Sequence, residues 1–269
     1  MKFDLHTHHF RCGHADGDIE SYIQAGIKVG LTVIGISDHS PYFASEHDQP
    51  QPGIAMGKSQ FLHYIDEVLR LKAKYEGKID VLLGMESDFY PESIDLYRRM
   101  YEPHPFDYII GSVHHTRGIS IFNRTRWKGM SKSKKIEEKR EYYSQIAQSA
   151  SSGVFQVLGH IDAMKGYYPA FSDIEAADVI DETLKIIADN QVSIEINTSG
   201  KTKDVGGWYP SDAILERALH YGVQVTFGSD AHVPSRVGDD WELVRRQLKE
   251  IGFREWVYYK QKQPVVVPL

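Results

Sequence analysis

Seven short apolar runs recur along the chain, at residues 2–5, 31–36, 80–84, 107–113, 155–159, 193–197 and 223–227. They are too short and too β-branched to make good helices, and turn residues often bound them. Helical stripes separate them. Asp18 to Val29 carries Ile19, Tyr22, Ile23 and Ile27 at helical spacing, and Gln60 to Tyr75 repeats the pattern with Phe61, Tyr64, Ile65, Val68, Leu69 and Leu71. Ser131–Ser152, Ile174–Asp189, Ser211–Tyr221 and Asp239–Ile251 complete the set. Ser211 is the expected N-cap of its helix, and the charges opening the Ser131 segment read as a solvated face. Strands alternating with helices predict an α/β fold, a parallel (β/α)7 TIM-like barrel. With no internal repeat or low-complexity linker, residues 1–269 are expected to form one domain. Pro41 to Lys58, which carries Pro50, Pro52 and Gly53, is expected to loop over the barrel mouth.

The residues just past each run carry the chemistry. They are His6 and His8, then Asp38 and His39, Glu86, His114 and His115, His160, Asn197, and finally Asp230 and His232. In a parallel barrel all strand C-termini open on one face, so these groups converge there. His6 and His8 also share a face, because alternate side chains of a strand point the same way. His6, His8, His14, His39, Glu86, His114, His160, Asp230 and His232 make nine candidate metal donors without a thiolate among them. Imidazole and carboxylate suit Zn, Mn or Fe. One ion takes three or four protein ligands, so nine donors suit two or three divalent ions, with a glutamate such as Glu86 able to bridge. A water bridging two cations loses a proton near neutral pH and becomes a nucleophile.

Composition narrows the partners. The formal charge of −6 argues against a surface that wraps nucleic acid. No apolar run approaches the roughly 18 residues that span a bilayer, and the N-terminus lacks a signal-peptide pattern. A single cysteine, Cys12, excludes an intrachain disulfide framework and fits a reducing cytoplasm. The expected partner is a small molecule, with no nucleic acid and no membrane. The oligomeric state is open, and tyrosine-rich surfaces permit a homodimer.

The ordered set "DLHTH", "GHA", "SDH", the lone Glu86, "SVHH", "GHID" and "GSDAH" resembles the PHP (polymerase and histidinol phosphatase) family from Asp4 to His232. The resemblance implies a distorted seven-stranded barrel with a trinuclear metal centre. It implies one ion near His6, His8, Glu86 and Asp230, a second near Glu86, His114 and His160, and a third near His14, His39 and His232. Within the family, "CGHADG", the long loop after "SDHSP", "DYIIGSVHH" and "EINTSGK" resemble the stand-alone histidinol-phosphatases. The implied reaction is hydrolysis of L-histidinol phosphate, a phosphomonoester, to L-histidinol and phosphate in histidine biosynthesis, by attack of a metal-bridging hydroxide.

An aliphatic alkoxide leaves in that reaction and needs a proton or a metal, which makes Asp16, two residues past His14, a candidate acid. Arg117, Lys165 and Lys201 follow strand ends and are candidates for phosphate contact. His9 and His115 adjoin donors but are expected to point away, and Tyr42 and Phe43 are expected to anchor their loop. Cys12 is expected to be a packed thiol. The alternatives are a PHP phosphoesterase acting on nucleotides or oligonucleotide ends, a metal-dependent amidohydrolase, and a non-enzymatic metal-binding module.

Overall fold

The computed structural model describes residues 1–269. Its strands are β1 Phe3–Asp4, β2 Val33–Ile36, β3 Asp80–Leu83, β4 Glu86–Asp88, β5 Ile110–Ser112, β6 His115–Thr116, β7 Ile119–Ser120, β8 Val157–Leu158, β9 Ser193–Asn197, β10 Val225–Gly228, β11 Glu255–Lys260 and β12 Gln263–Pro268. The helices are α1 Ile19–Lys28, α2 Phe61–Lys74, α3 Ile94–Tyr101, α4 Lys132–Ser151, α5 Ala177–Asp189, α6 Asp212–His220 and α7 Trp241–Ile251.

Two parallel arcs make the barrel, β1-β2-β3 and β10-β9-β8-β5-β4. β3 and β4 are one strand interrupted at Gly84 and Met85. The Gly84 amide still donates to Ile36 O at 2.8 Å, and the Glu86 amide to Ser37 O at 3.0 Å. At the other seam Leu5 N donates to Phe227 O at 3.1 Å and Ala231 N to His6 O at 3.2 Å. An isolated parallel bridge, Thr7 to Ala231, is all the regular pairing there. The ring is therefore joined by a few separate bonds at two places rather than by a continuous ladder, which is its distortion.

Tyr108 braces the first arc from inside. Its ring lies across Gly35 of β2 and Gly84, and its hydroxyl donates to the Leu5 carbonyl. A Cβ on Gly35 would overlap that hydroxyl, and one on Gly84 would lie 2.6 Å from it. The two glycines thus leave room for a tyrosine that ties down the end of β1, just before His6.

Three elements were not expected. α3 sits between β4 and β5, β6–β7 form a small antiparallel hairpin, and β11–β12 form a longer one. The longer hairpin closes the barrel floor, with Trp256 buried between Phe3 and Trp241, each 4.9 Å away between ring centroids. Its turn residues Gln261 and Lys262 both take positive φ, 50° and 62°, and their amides bond to Asp107. One buried apolar cluster runs from Phe3 to Leu269. No helix is long and apolar enough to cross a membrane.

Two local expectations are corrected. Ser211 occupies the N-cap position of α6 without a side-chain capping bond; its own amide donates to Asp162 Oδ2 at 3.1 Å. The charged start of α4 is not wholly solvated, because Glu138 and Lys139 are both buried. Glu138 accepts from Arg117 and Arg126 at 2.8 and 2.6 Å, while Lys139 donates to the carbonyls of Phe171 and Ile174. In the long loop, Phe43 packs edge-on against Phe61 and Tyr97, as loop anchoring requires.

Candidate metal centre

The C-terminal ends of the barrel strands bring the imidazoles and carboxylates onto one rim. β1 runs out into His6 and His8, β2 into His39, β5 into His114, β8 into His160, and β10 into Asp230 and His232. Glu86 opens β4. His160 and Asp230 have φ of +31° and +52°, a costly conformation for residues with a Cβ. Such strain persists where the surrounding structure over-determines it, and both residues sit where their strand ends turn into the rim.

Glu86, 1% exposed, stands at the centre. Its Oε1 faces His160 Nε2 at 3.0 Å and His114 Nε2 at 3.5 Å, and accepts from Ser112 Oγ at 2.7 Å. Its Oε2 faces His39 Nδ1 at 2.9 Å, His6 Nε2 at 3.4 Å and His8 Nε2 at 3.6 Å. Asp230 Oδ1 lies 3.0 Å from His8 Nε2 and 3.4 Å from His232 Nδ1. His14 Nε2 and His232 Nε2 are 2.9 Å apart at the outer edge. All nine donors named from the sequence are thus brought to one place.

Three carboxylates stand behind the rim; the sequence pointed to Asp38 only as a strand-end residue and did not single out Glu195 or Asp88. Glu195 of β9 accepts from His6 Nδ1 at 2.6 Å, Asp38 from His8 Nδ1 at 3.2 Å, and Asp88 from His114 Nδ1. A carboxylate on Nδ1 fixes the tautomer and leaves Nε2 as a lone pair aimed at the centre. Alternation carried a signal for two of them: Asp88 is two residues past Glu86, and Glu195 is two before Asn197. Asp38 also holds His9 Nδ1 at 3.1 Å, so His9 points away from the rim.

The electrostatics ask for positive charge. Burial opposes a proton on His8, yet Asp230 and Asp38 outweigh it and raise the imidazole to about 9. His114 reaches about 9 against the same burial, through Asp88 and Glu86. Burial works against ionised Glu86 as well, but the surrounding imidazoles hold it well below the usual carboxylate range. At the outer edge burial and neighbouring imidazoles push His14 down to about 4 and His232 to about 3.

The buried atoms His6 Nε2, His8 Nε2 and Glu86 Oε2 have no hydrogen-bond partner although they face one another. Unpaired buried polar atoms are costly, and cations held among them would satisfy all three. Donor atoms of His6, His8 and Glu86 lie within 4.8 Å of one another, as do those of His8, His39 and His232, and those of His39, Glu86 and His114. The residues therefore fit divalent ions of nitrogen and oxygen preference. Cys12 lies within the same distance of His8 and Asp38. Burial pushes its thiol well up, and Sγ donates to His9 O at 3.2 Å, so it behaves as a packed thiol.

A cavity of about 610 Å³ opens over the rim, under Gly53 and Ile54 of the long loop. Its outer wall carries Lys203, Arg236, Ser199, Thr202, His115 and Phe122. The four other residues named from the sequence are elsewhere. Arg117, at φ +51°, turns back onto Glu138, and Lys165 is buried against Asp162 at 2.8 Å. Lys201 faces outward to Asp239 and Asp240. Asp16 is exposed and outside the lining, its amide donating to His232 O at 2.8 Å. Lys203 and Arg236 were missed, and His115 faces the cavity instead of away from it.

The PHP domain family model matches residues 4–199. The histidinol-phosphatase of Bacillus subtilis (strain 168) is 30% identical over 262 residues, covering 90% of this chain and 97% of that protein. The histidinol-phosphatase of Lactococcus lactis subsp. lactis is 24% identical, over 94% and 93% of the two chains. A crystal structure of histidinol phosphate phosphatase from the same organism, complexed with zinc, L-histidinol and phosphate, superposes with a TM-score of 0.80. It covers 98% of each chain at 20% identity, a likeness of fold.

Proposed function

This chain belongs to the PHP domain family, and we propose that it is a metal-dependent phosphomonoesterase that hydrolyses L-histidinol phosphate to L-histidinol and phosphate. One observation carries the reading: imidazoles and carboxylates from five strand ends meet around Glu86, at the start of β4, beneath an open cavity whose far wall is cationic. A metal-storing module would close its donors off; here they line a space large enough for a small molecule.

Two or three divalent ions suit the donors, with His6, His8, Glu86 and Asp230 in one group, Glu86, His114 and His160 in a second, and His14, His39 and His232 in a third. When bound, such ions supply charge that offsets the phosphoryl oxygens and lowers the pKa of water. The chain's own residues do the rest. Glu195, Asp38 and Asp88 hold three imidazoles in the tautomer that presents Nε2. Lys203 lines the cavity with its ammonium 5.9 Å from the Phe122 ring centroid and 5.6 Å from that of Tyr167, placed to meet phosphate from the outer wall. Arg236 is already held by Asp239 and the Thr198 carbonyl, which fixes its guanidinium beside the same space. The buried free thiol fits a reducing cytoplasm.

The test is phosphate release from L-histidinol phosphate against a panel of nucleoside monophosphates, with His6→Ala as control. Selectivity for L-histidinol phosphate, lost in the control, is expected. Equal or greater activity on nucleotides would refute the substrate assignment and leave a PHP phosphoesterase of another specificity.

A further inference from the structure

The donors and cations of the site account for a phosphate group, and neither reads the rest of the substrate. We propose that Phe122 determines specificity by packing against the imidazole ring of the substrate, an inference that rests on the phosphatase reading above. Apart from imidazoles, Phe122 is the one aromatic side chain lining the cavity. It is half-buried, with its ring centroid 6.1 Å from that of His114, so it borders the metal donors. A phosphomonoester whose phosphate meets those donors sends its organic end outward, towards this wall. Aromatic rings pack favourably in offset or edge-on arrangements, and a ring already fixed in place loses little freedom on binding.

Phe122 is fixed from three sides. Its amide donates to Ser120 Oγ at 3.2 Å, and its ring meets Tyr167 edge-on at 6.1 Å. The β6–β7 hairpin just before it is tied by the buried Arg126, which donates to Ile119 O at 2.9 Å and pairs with Glu138. His115 on the same hairpin faces the cavity and offers a hydrogen-bonding edge to the ring nitrogens. A buried arginine and a buried glutamate brace this short hairpin from behind. They make a rigid mount for the wall.

The test compares L-histidinol phosphate with L-alaninol phosphate, which keeps the phosphate and the amine and lacks the ring. Phe122→Leu keeps apolar volume and removes the ring face. The expected result is a loss of roughly tenfold in kcat/KM on L-histidinol phosphate, carried mostly by KM, with L-alaninol phosphate unchanged. Phe122→Tyr is expected to retain the wild-type preference. Metal content and circular dichroism establish that both variants fold. Equal losses on the two substrates, or none on L-histidinol phosphate, would overturn the role of Phe122. An active wild type towards L-histidinol phosphate is read first; its inactivity would sink the phosphatase reading and this inference with it.

Discussion

Replacing Gly35 by alanine places a methyl group onto the hydroxyl of Tyr108, inside the barrel, where that hydroxyl holds the carbonyl of Leu5 just before His6. Two costs follow. Overpacking a buried site costs roughly 1–3 kcal/mol, and displacing the hydroxyl from Leu5 O forfeits about 1 kcal/mol more. Tyr108→Phe alone loses the hydrogen bond, about 1–2 kcal/mol. In the double variant the hydroxyl is gone, so the bond is lost once and the worst overlap disappears. What remains is Cζ at 2.8 Å from the new methyl, which still requires a small shift. The double variant is therefore expected to be more stable than the sum of the singles by about 1–2 kcal/mol. Urea unfolding of the metal-free proteins, followed by circular dichroism, measures the cycle. Additivity within about 0.5 kcal/mol would refute the idea that Tyr108 and Gly35 share one space.

Glu195→Gln is expected to weaken metal binding about 10–100-fold, because His6 loses the charge that orients it; competition with a chelator of known affinity measures this. Gly228→Ala should act the same way, since a Cβ there would overlap Glu195 Oε1 and come within 2.6 Å of His6 Cβ. Metal-free protein should lose stability as pH rises from about 6.5 through about 9. His8 and His114 are raised in the folded state, so the stability they contribute is complete below the unfolded value and disappears above the folded one. Metal loading near neutral pH should correspondingly release protons, seen as a buffer-dependent heat in titration calorimetry; a heat independent of the buffer would contradict the raised imidazoles. Asp16→Asn should keep kcat within about threefold and retain the acidic limb of the pH–rate profile, as befits an exposed carboxyl outside the cavity.

The convergence was legible because two simple rules coincide: parallel strands end on one face, and five of the ends run into an imidazole or carboxylate, with Glu86 opening β4. Direction beyond the strand end was not legible. Arg117, Lys165 and Lys201 follow strand ends in sequence, yet a positive φ, a tight buried turn and an outward turn send them to Glu138, Asp162 and Asp239. Lys203, two residues past Lys201, faces the cavity, a choice set by a short turn with no periodicity to read. The β11–β12 hairpin escaped for a related reason. Its turn, Gln261 and Lys262, takes positive φ without the glycine or asparagine that normally announces it. Supporting carboxylates were half visible, since Asp88 and Glu195 obey alternation but resemble ordinary strand polarity until their imidazoles are placed beside them.

Glu138 carries both arginines of the β6–β7 hairpin on one carboxylate, Arg117 at its turn and Arg126 behind it. Most of the candidate metal donors, by contrast, sit at or just past the ends of the barrel strands. If the proposed role of Phe122 holds, reactivity belongs to the barrel rim and selectivity to the hairpin that Glu138 braces. On that reading the hairpin can be varied in sequence while the barrel rim stays intact. Libraries confined to residues 115–126, with Glu138 retained, are the natural place to look for altered selectivity.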